Sequence, residues 1–273
     1  MNAIGGALTA FFTLILRPFA DGNAFGGIIF ISLVTGAVMM ALFKMVSNQQ
    51  AMKDIKAKIG AYFLEMRLYK DDIATVAASQ GRILKANLGY MRLAVLPAVV
   101  MIIPVVLIMI QLNLRYAHRG LVPGETVMVK VRLAEGVDAV SERLVLSADD
   151  GVAKASPAVR IPSLGEIDWK VRLVEPGMRT ISLTSDAGEI KIPIVGTTRT
   201  APVYADFGRP SVWESIANPG APRIPDAMPI KSIAVSYPAM DFSFGLFRLS
   251  WLWTFLIVSM AFGVILKYVF KVE

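Results

Sequence analysis

The 273-residue chain is 55% hydrophobic with a mean hydropathy of +0.57. Its apolar residues gather in runs long enough to cross a bilayer, which excludes an ordinary water-soluble domain. It has no cysteine, so disulfides, thiolate metal sites and a thiol nucleophile are excluded. The net charge of +7 raises nucleic-acid binding as a question that the positions of the cations must answer.

Residues 1–24 open with MNAIGGALTAFFTLILRPFADG. The apolar run has signal-peptide length, but it lacks a positive n-region and places Arg17 and Pro18 after itself, so the segment is expected to be retained. Ile4, Leu8, Phe11, Phe12 and Ile15 share one side at helical spacing, with Asn2, Gly6, Thr9 and Thr13 spread over the other. That pattern predicts a short interfacial helix in the headgroup plane, ended by Pro18 and the Asp-Gly-Asn run.

Residues 25–45 predict a first membrane crossing. Ser32, Thr35 and Gly36 fall on one of its faces by i, i+3, i+4 spacing. A small, mildly polar face either packs closely against another helix or opens on a water-accessible groove. Ser47, Asn48, Gln49 and Gln50 form a polar collar after it. Within 46–90 two amphipathic stripes follow. The first runs Met52, Ile55, Ile59, Tyr62, Phe63, Met66 and Tyr69, with Lys53, Lys56, Lys58 and Arg67 off it, and the second runs Ile73, Val76, Ala77, Ile83, Leu84 and Leu88. Lys70-Asp71-Asp72 predicts a turn with an aspartate N-cap, and the two stripes predict an antiparallel helical hairpin. The second helix has no breaker before Pro97, so it is expected to run on into a second crossing over 91–113, where Pro97 and Pro104 each remove a backbone donor.

From residue 114 the texture changes. Val127, Val129, Val131 and Leu133 alternate with Met128, Lys130 and Arg132, the period of a half-buried strand. RLVLS, EIDWKVRLVEPG, MRTISLTSDAG and EIKIPIVG repeat the signal, so 114–200 predicts a β-sandwich of immunoglobulin-like kind. Residues 201–245 are rich in Pro and Gly; SVWESIANPG predicts a helical turn and IKSIAVSYP one more strand. Residues 246–271 predict the third crossing, with Trp251 and Trp253 at one interface and Lys267, Tyr268 and Lys271 at the other. The fold class expected is an α-helical membrane protein, with three transmembrane helices, an interfacial helix and a cytoplasmic helical hairpin, into which an all-β domain is inserted.

The cations settle the question of charge. Between Lys44 and Arg92 there are nine cations and four acids, whereas between Leu114 and Leu246 there are fifteen of each. An excess confined to one short loop is the positive-inside pattern. It predicts a cytoplasmic hairpin and C-terminus, an outside N-terminus and an extracytoplasmic β domain, with Arg115 and Arg119 at the outer end of the second crossing outvoted. The basic hairpin faces anionic headgroups or, alternatively, a ribosome or nascent chain; no specific nucleic-acid partner is expected. His118 has no second histidine or carboxylate cluster at ligand spacing, and no phosphate loop or nucleophile motif occurs. Neither an enzyme nor a metal or cofactor is expected.

An interfacial helix, a first span, a basic hairpin with SNQQAMKDIKAKI, the span YMRLAVLPAVVMIIPVVLIMIQL and a third span together resemble the YidC/Oxa-type membrane insertases. The closer likeness is to their minimal three-span branch, which includes archaeal YidC-like proteins and the related subunit of the ER membrane protein complex; the β domain lies outside the likeness. The resemblance implies an incomplete bundle around a hydrophilic groove that eases polar parts of client segments into the membrane, with no bond made or broken. On that likeness the groove candidates are Ser32, Thr35, Asn48, Gln49, Gln111, Ser250, Thr254 and Ser259. The family's groove arginine on the first span has no counterpart before Lys44, leaving Arg17, Lys44 and Arg92 as candidate groove or mouth cations. Lys53, Lys56, Lys58 and Arg67 are the candidate client or ribosome contacts. Membrane lipids, client membrane proteins and further membrane-complex subunits held through the β domain are the expected partners, in a prokaryotic plasma membrane. The alternative is a scaffold subunit that anchors the β domain in a larger complex.

Overall fold

A computed structural model describes residues 3–244 and 247–270, without the side chains of 3–5, 212, 213, 244, 247, 269 and 270. Asn2, Leu246, Lys271 and the side chain of Ile4 therefore lie outside the described residues. Helix α1 (Ala3–Leu16) gives way to a 3-10 turn at Arg17–Phe19 with Pro18 in its first turn, since proline has no N–H to continue a helix. Asn23 then opens α2 (Ala24–Val46), its side-chain oxygen accepting from Gly26 N at 2.9 Å. Asn48 caps α3 (Gln49–Leu68), accepting from Ala51 N at 3.0 Å. Asp72 caps α4 (Ile73–Tyr116) by accepting from Ala74 N and from the hydroxyl of Thr75 at 2.6 Å. The Thr75 hydroxyl bond, first among the causes, holds the Asp72 carboxyl below its ordinary range. Helix α4 is 44 residues long and carries Pro97 and Pro104 in its interior, so the second hairpin helix and the second apolar span are one rod.

The chain divides into two compact units: Met1–Ile28 with Met109–Thr254, and Ile29–Ile108 with Phe255–Glu273. Among the described residues three helices are long and apolar enough to cross a membrane: α2, α4 and α6 (Trp251–Phe270). Helix α6 begins later than its sequence suggests. Asp241–Phe244 (β10) and Phe247–Ser250 (β11) form an antiparallel hairpin before it, with Phe242 opposite Leu249 and Ser243 opposite Arg248. The alternation of Phe247, Arg248, Leu249 and Ser250 suits a strand, whereas helical continuity resumes only at Trp251.

In the first unit the remaining strands are β1 (Thr126–Leu133), β2 (Val145–Ala148), β3 (Val152–Lys154), β4 (Val159–Ile161), β5 (Glu166–Leu173), β6 (Gly177–Ser185), β7 (Gly188–Gly196), β8 (Asp206–Gly208) and β9 (Ile230–Val235). They form two antiparallel sheets, one ordered β3-β5-β1-β9-β8 with β4 also paired to β5, the other β2-β6-β7. Val129 stands opposite Trp169 on one side and Val235 on the other. One apolar cluster draws Val129, Ile167 and Val171 from the larger sheet and Leu146, Ile181 and Ile192 from the smaller, the core expected where two sheets share their inner faces. A short helix, α5 (Val212–Ala217), capped by Ser211, stands between β8 and β9. IKSIAVSYP is thus an interior strand beside β1, where Ile233 and Val235, two apart, are buried, and a register shift opposite Arg132 and Leu133 lets Ile230 be buried too.

Tyr237 ties the end of β9 to β7. Its hydroxyl accepts from Val195 N at 3.0 Å and donates to Pro193 O at 3.3 Å, and burial pushes the phenol up to about 12, so it stays a neutral donor at any working pH. Tyr237→Phe would leave the buried Val195 N–H without that acceptor. The expected loss is about 1–3 kcal/mol of β-domain stability, read as a lowered urea midpoint with unchanged slope.

Candidate functional site

The family resemblance suggests eight polar groove candidates, and the structure distributes them over both units. Gln111, Ser250 and Thr254 belong to the unit that holds the β domain; Ser32, Thr35, Asn48, Gln49 and Ser259 belong to the helical unit.

In the helical unit the inward stripe of α2 runs Ile31, Ser32, Thr35, Gly36 and Met39, spaced three and four apart. Ser32 and Thr35 are 0% and 4% exposed, so the hydroxyl face is covered. A Cβ on Gly36 would stand 3.0 Å from Ser259 O and 3.6 Å from Gly263 N. Small residues four apart on both helices, Ser32 with Gly36 and Ser259 with Gly263, let the backbones of α2 and α6 approach, as small-xxx-small pairs do. Ser259 donates to its own helix at Leu256 O, 3.2 Å. Thr35 Oγ1 is different: it is buried with no hydrogen-bond partner among the described residues, a state that costs about 1–3 kcal/mol for a hydroxyl. Helix α4 contrasts with α2. Only 6% of its apolar window is covered, against 39% for α2, and Leu96, Val99, Ile102, Ile103 and Val106 are exposed.

The collar serves the hairpin. Asn48 is the N-cap already described, and the Gln49 amide bonds the Ser47 hydroxyl. Helices α3 and α4 are joined by Arg82–Glu65 at 3.2 Å, by Ser79 Oγ donating to Glu65 Oε2 at 3.0 Å, and by Arg82 over the Tyr62 ring. Of the candidate client contacts, Lys53, Lys58 and Arg67 are exposed, while Lys56 is half-buried with its ammonium over the Tyr90 ring. Arg17, Lys44 and Arg92, the candidate groove or mouth cations, are exposed, and Arg17 belongs to the unit that holds the β domain.

In the other unit Thr254 donates to Ser250 O at 3.1 Å within the first turn of α6, and Gln111 enters a polar cluster around Arg115. Arg115 is 2% exposed. Its Nη1 donates to Gln111 O and Oε1 at 3.1 and 2.8 Å, and its Nη2 donates to Thr9 O and Thr13 Oγ1 at 2.9 and 2.8 Å. Gln111 Nε2 donates to Thr9 Oγ1 at 3.2 Å, and the guanidinium lies 6.0 Å from the Phe12 ring centre. Thr9 and Thr13, on the polar side of α1, therefore both bond a cation. Sequence reasoning gave Arg115 no role beyond its charge. The available signal was the i, i+4 spacing of Gln111 with Arg115 and of Thr9 with Thr13, which puts each pair on one helix face.

Where α4 meets the β domain, Arg119 and Glu125 form a two-point pair, Nη1 to Oε2 at 2.9 Å and Nη2 to Oε1 at 2.7 Å, and Glu125 Oε2 also accepts from Val122 N. The Arg119 bond, largest among the causes, lowers the Glu125 carboxyl from 4.5 to about 2. A carboxyl depressed on folding contributes stability that is full above its unfolded pKa and is lost as pH falls through the folded one. Stability should therefore be flat in this group's contribution above pH 4.5 and decline from there toward pH 2. Glu125→Gln should remove that part of the acid limb in melting curves taken across the same range, and an unaltered limb would refute it. Among the described residues no cluster of three metal-ligating side chains occurs. Comparison with protein families, with curated proteins and with solved structures gives no match to this chain.

Proposed function

We propose that this protein is a YidC-like membrane insertase or chaperone that eases client transmembrane segments into a prokaryotic plasma membrane, its hairpin and C-terminus cytoplasmic and its β domain, of immunoglobulin-like kind, outside. What supports the reading is that, within the helical unit, α2 keeps buried hydroxyls, among them Thr35 Oγ1 with no hydrogen-bond partner among the described residues, while the α4 span is almost uncovered. A polar client group would reach Thr35, 4% exposed, only where α2 and its neighbouring helix part, and it would then give that hydroxyl the bond it lacks. Each such bond offsets part of the about 2.5–3.5 kcal/mol that a charged residue costs at mid-depth on insertion scales. The exposed cations Lys53, Lys58 and Arg67 on α3 would hold clients or ribosomes before insertion.

A second reading has its own support. The close approach of α2 and α6 at Gly36 and the burial of Ser32 and Thr35 suit a scaffold that anchors the β domain in a larger complex. Photocrosslinkers placed at Thr35 and at Val99 decide between them. An insertase should trap many short-lived nascent membrane proteins from both positions, and the purified protein in liposomes should insert a test substrate. Capture of one stoichiometric partner, with no insertion in liposomes, would overturn the insertase reading and leave the scaffold.

A further inference from the structure

A buried cation with only neutral acceptors borders a cavity in the unit that carries α1 and the β domain. The cavity, about 630 Å³, is lined by Thr9, Ala10, Thr13, Leu14 and Arg17 on one side and by Tyr204 on the other. Thr9 and Thr13 also supply oxygens to Arg115, so that guanidinium stands one residue behind the wall. All four acceptors of its Nη donors are uncharged, and a buried charge without a counter-charge is costly. Arg17 is exposed at the same cavity, and no aspartate or glutamate lines it.

The rest of the wall is apolar: Ala10, Leu14 and the ring of Tyr204, whose hydroxyl is already engaged by donating to Pro219 O at 3.0 Å. Phe11 and Leu14 are 56% and 68% exposed, the mark of a helix that meets acyl chains rather than water. A slot that joins positive charge to apolar wall, on a helix with exposed aromatic and aliphatic side chains, matches an amphiphile with an anionic head. We infer that this cavity binds an anionic phospholipid. Arg17 holds the phosphate, Arg115 supplies a fixed positive field through Thr9 and Thr13, and an acyl chain lies along Ala10, Leu14 and Tyr204. The lipid neutralises Arg115 without giving up any of its four bonds. The inference stands apart from the insertase reading, because a scaffold with the same α1 would hold the same lipid.

The test uses full-length protein reconstituted with equimolar phosphatidylglycerol and phosphatidylcholine, washed in detergent, with retained lipid measured by native mass spectrometry. The wild type should retain phosphatidylglycerol in preference, and Arg17→Ala should cut that preference about fivefold, the effect of one cation near the headgroups. Leu14→Trp, which fills the slot, should lower retention of both lipids. Short-chain phosphatidylglycerol should displace the bound lipid where inorganic phosphate does not, which separates a lipid head from a free anion. Equal retention of the two lipids, a preference that survives both substitutions, displacement by inorganic phosphate alone, or displacement by an acidic peptide and not by short-chain lipid would each overturn the inference. Melting curves of the two variants, both at exposed positions, establish that they are folded.

Discussion

Gly120→Ala should destabilise the β domain by about 3 kcal/mol, a drop of about 10 °C in melting temperature for a unit of this size. Gly120 stands where the chain leaves α4 for the β domain. The next residue, Leu121, donates its N–H to Val195 O at 2.8 Å, which docks the incoming chain on β7. A Cβ at position 120 would overlap the Thr197 carbonyl oxygen and come within 3.1 Å of Val195 O. Both neighbours are backbone, Val195 within β7 and Thr197 just past its end, so neither can rotate away as a side chain would. The chain must lift from β7, breaking the Leu121 bond and uncovering Leu121, which is 1% exposed. Circular dichroism melting in detergent measures the effect; a melting temperature within a degree or so of wild type would show that the docking contact is softer than its geometry implies.

Gln111→Leu should cost about 3 kcal/mol, for a different reason. Gln111 gives Arg115 two of its four acceptors and donates to Thr9. The substitution removes the side-chain acceptor and leaves the guanidinium buried with a donor unmet. The double variant Gln111→Leu with Arg115→Met removes both the need and its satisfaction, so it should recover most of the loss. A buried polar network replaced whole by apolar groups is often neutral, whereas one broken by half is not. The coupling is read from a double-mutant cycle on thermal stability. Additive losses would mean that the Arg115 guanidinium does not depend on the Gln111 amide for its hydrogen bonding.

These two sites also bear on function. If Arg115 needs its neutral cage and an outside anion, then the α1 end of the membrane part is a place where the chain selects its lipid surroundings. The uncovered α4 span is where it would meet other polypeptides. Under the proposed orientation the hairpin would be a cytoplasmic handle, its two helices locked by Glu65, Ser79 and Arg82 and Lys53, Lys58 and Arg67 exposed on it.

Much of the architecture follows from the sequence because it depends on period and length. Apolar runs of about 20 residues can only be spans or buried rods, a 3.6 period with Asp72 at its start can only be a capped helix, and the strict alternation at Val127, Val129, Val131 and Leu133 places these four side chains on one sheet face. Those features are local, fixed by neighbours within a turn or two. Three features were decided by tertiary structure. Strand β9 lies beside β1 across almost a hundred residues of chain, a pairing that no local pattern specifies. Phe247–Ser250 goes to a hairpin because β10 is there to receive it. Arg115 turns from a surface charge into a buried one because α1, distant in sequence, brings Thr9 and Thr13 to it. Sequence spacing says which residues share a face; only the fold says which two faces meet, and burial, charge compensation and the choice between packed and open all depend on that meeting.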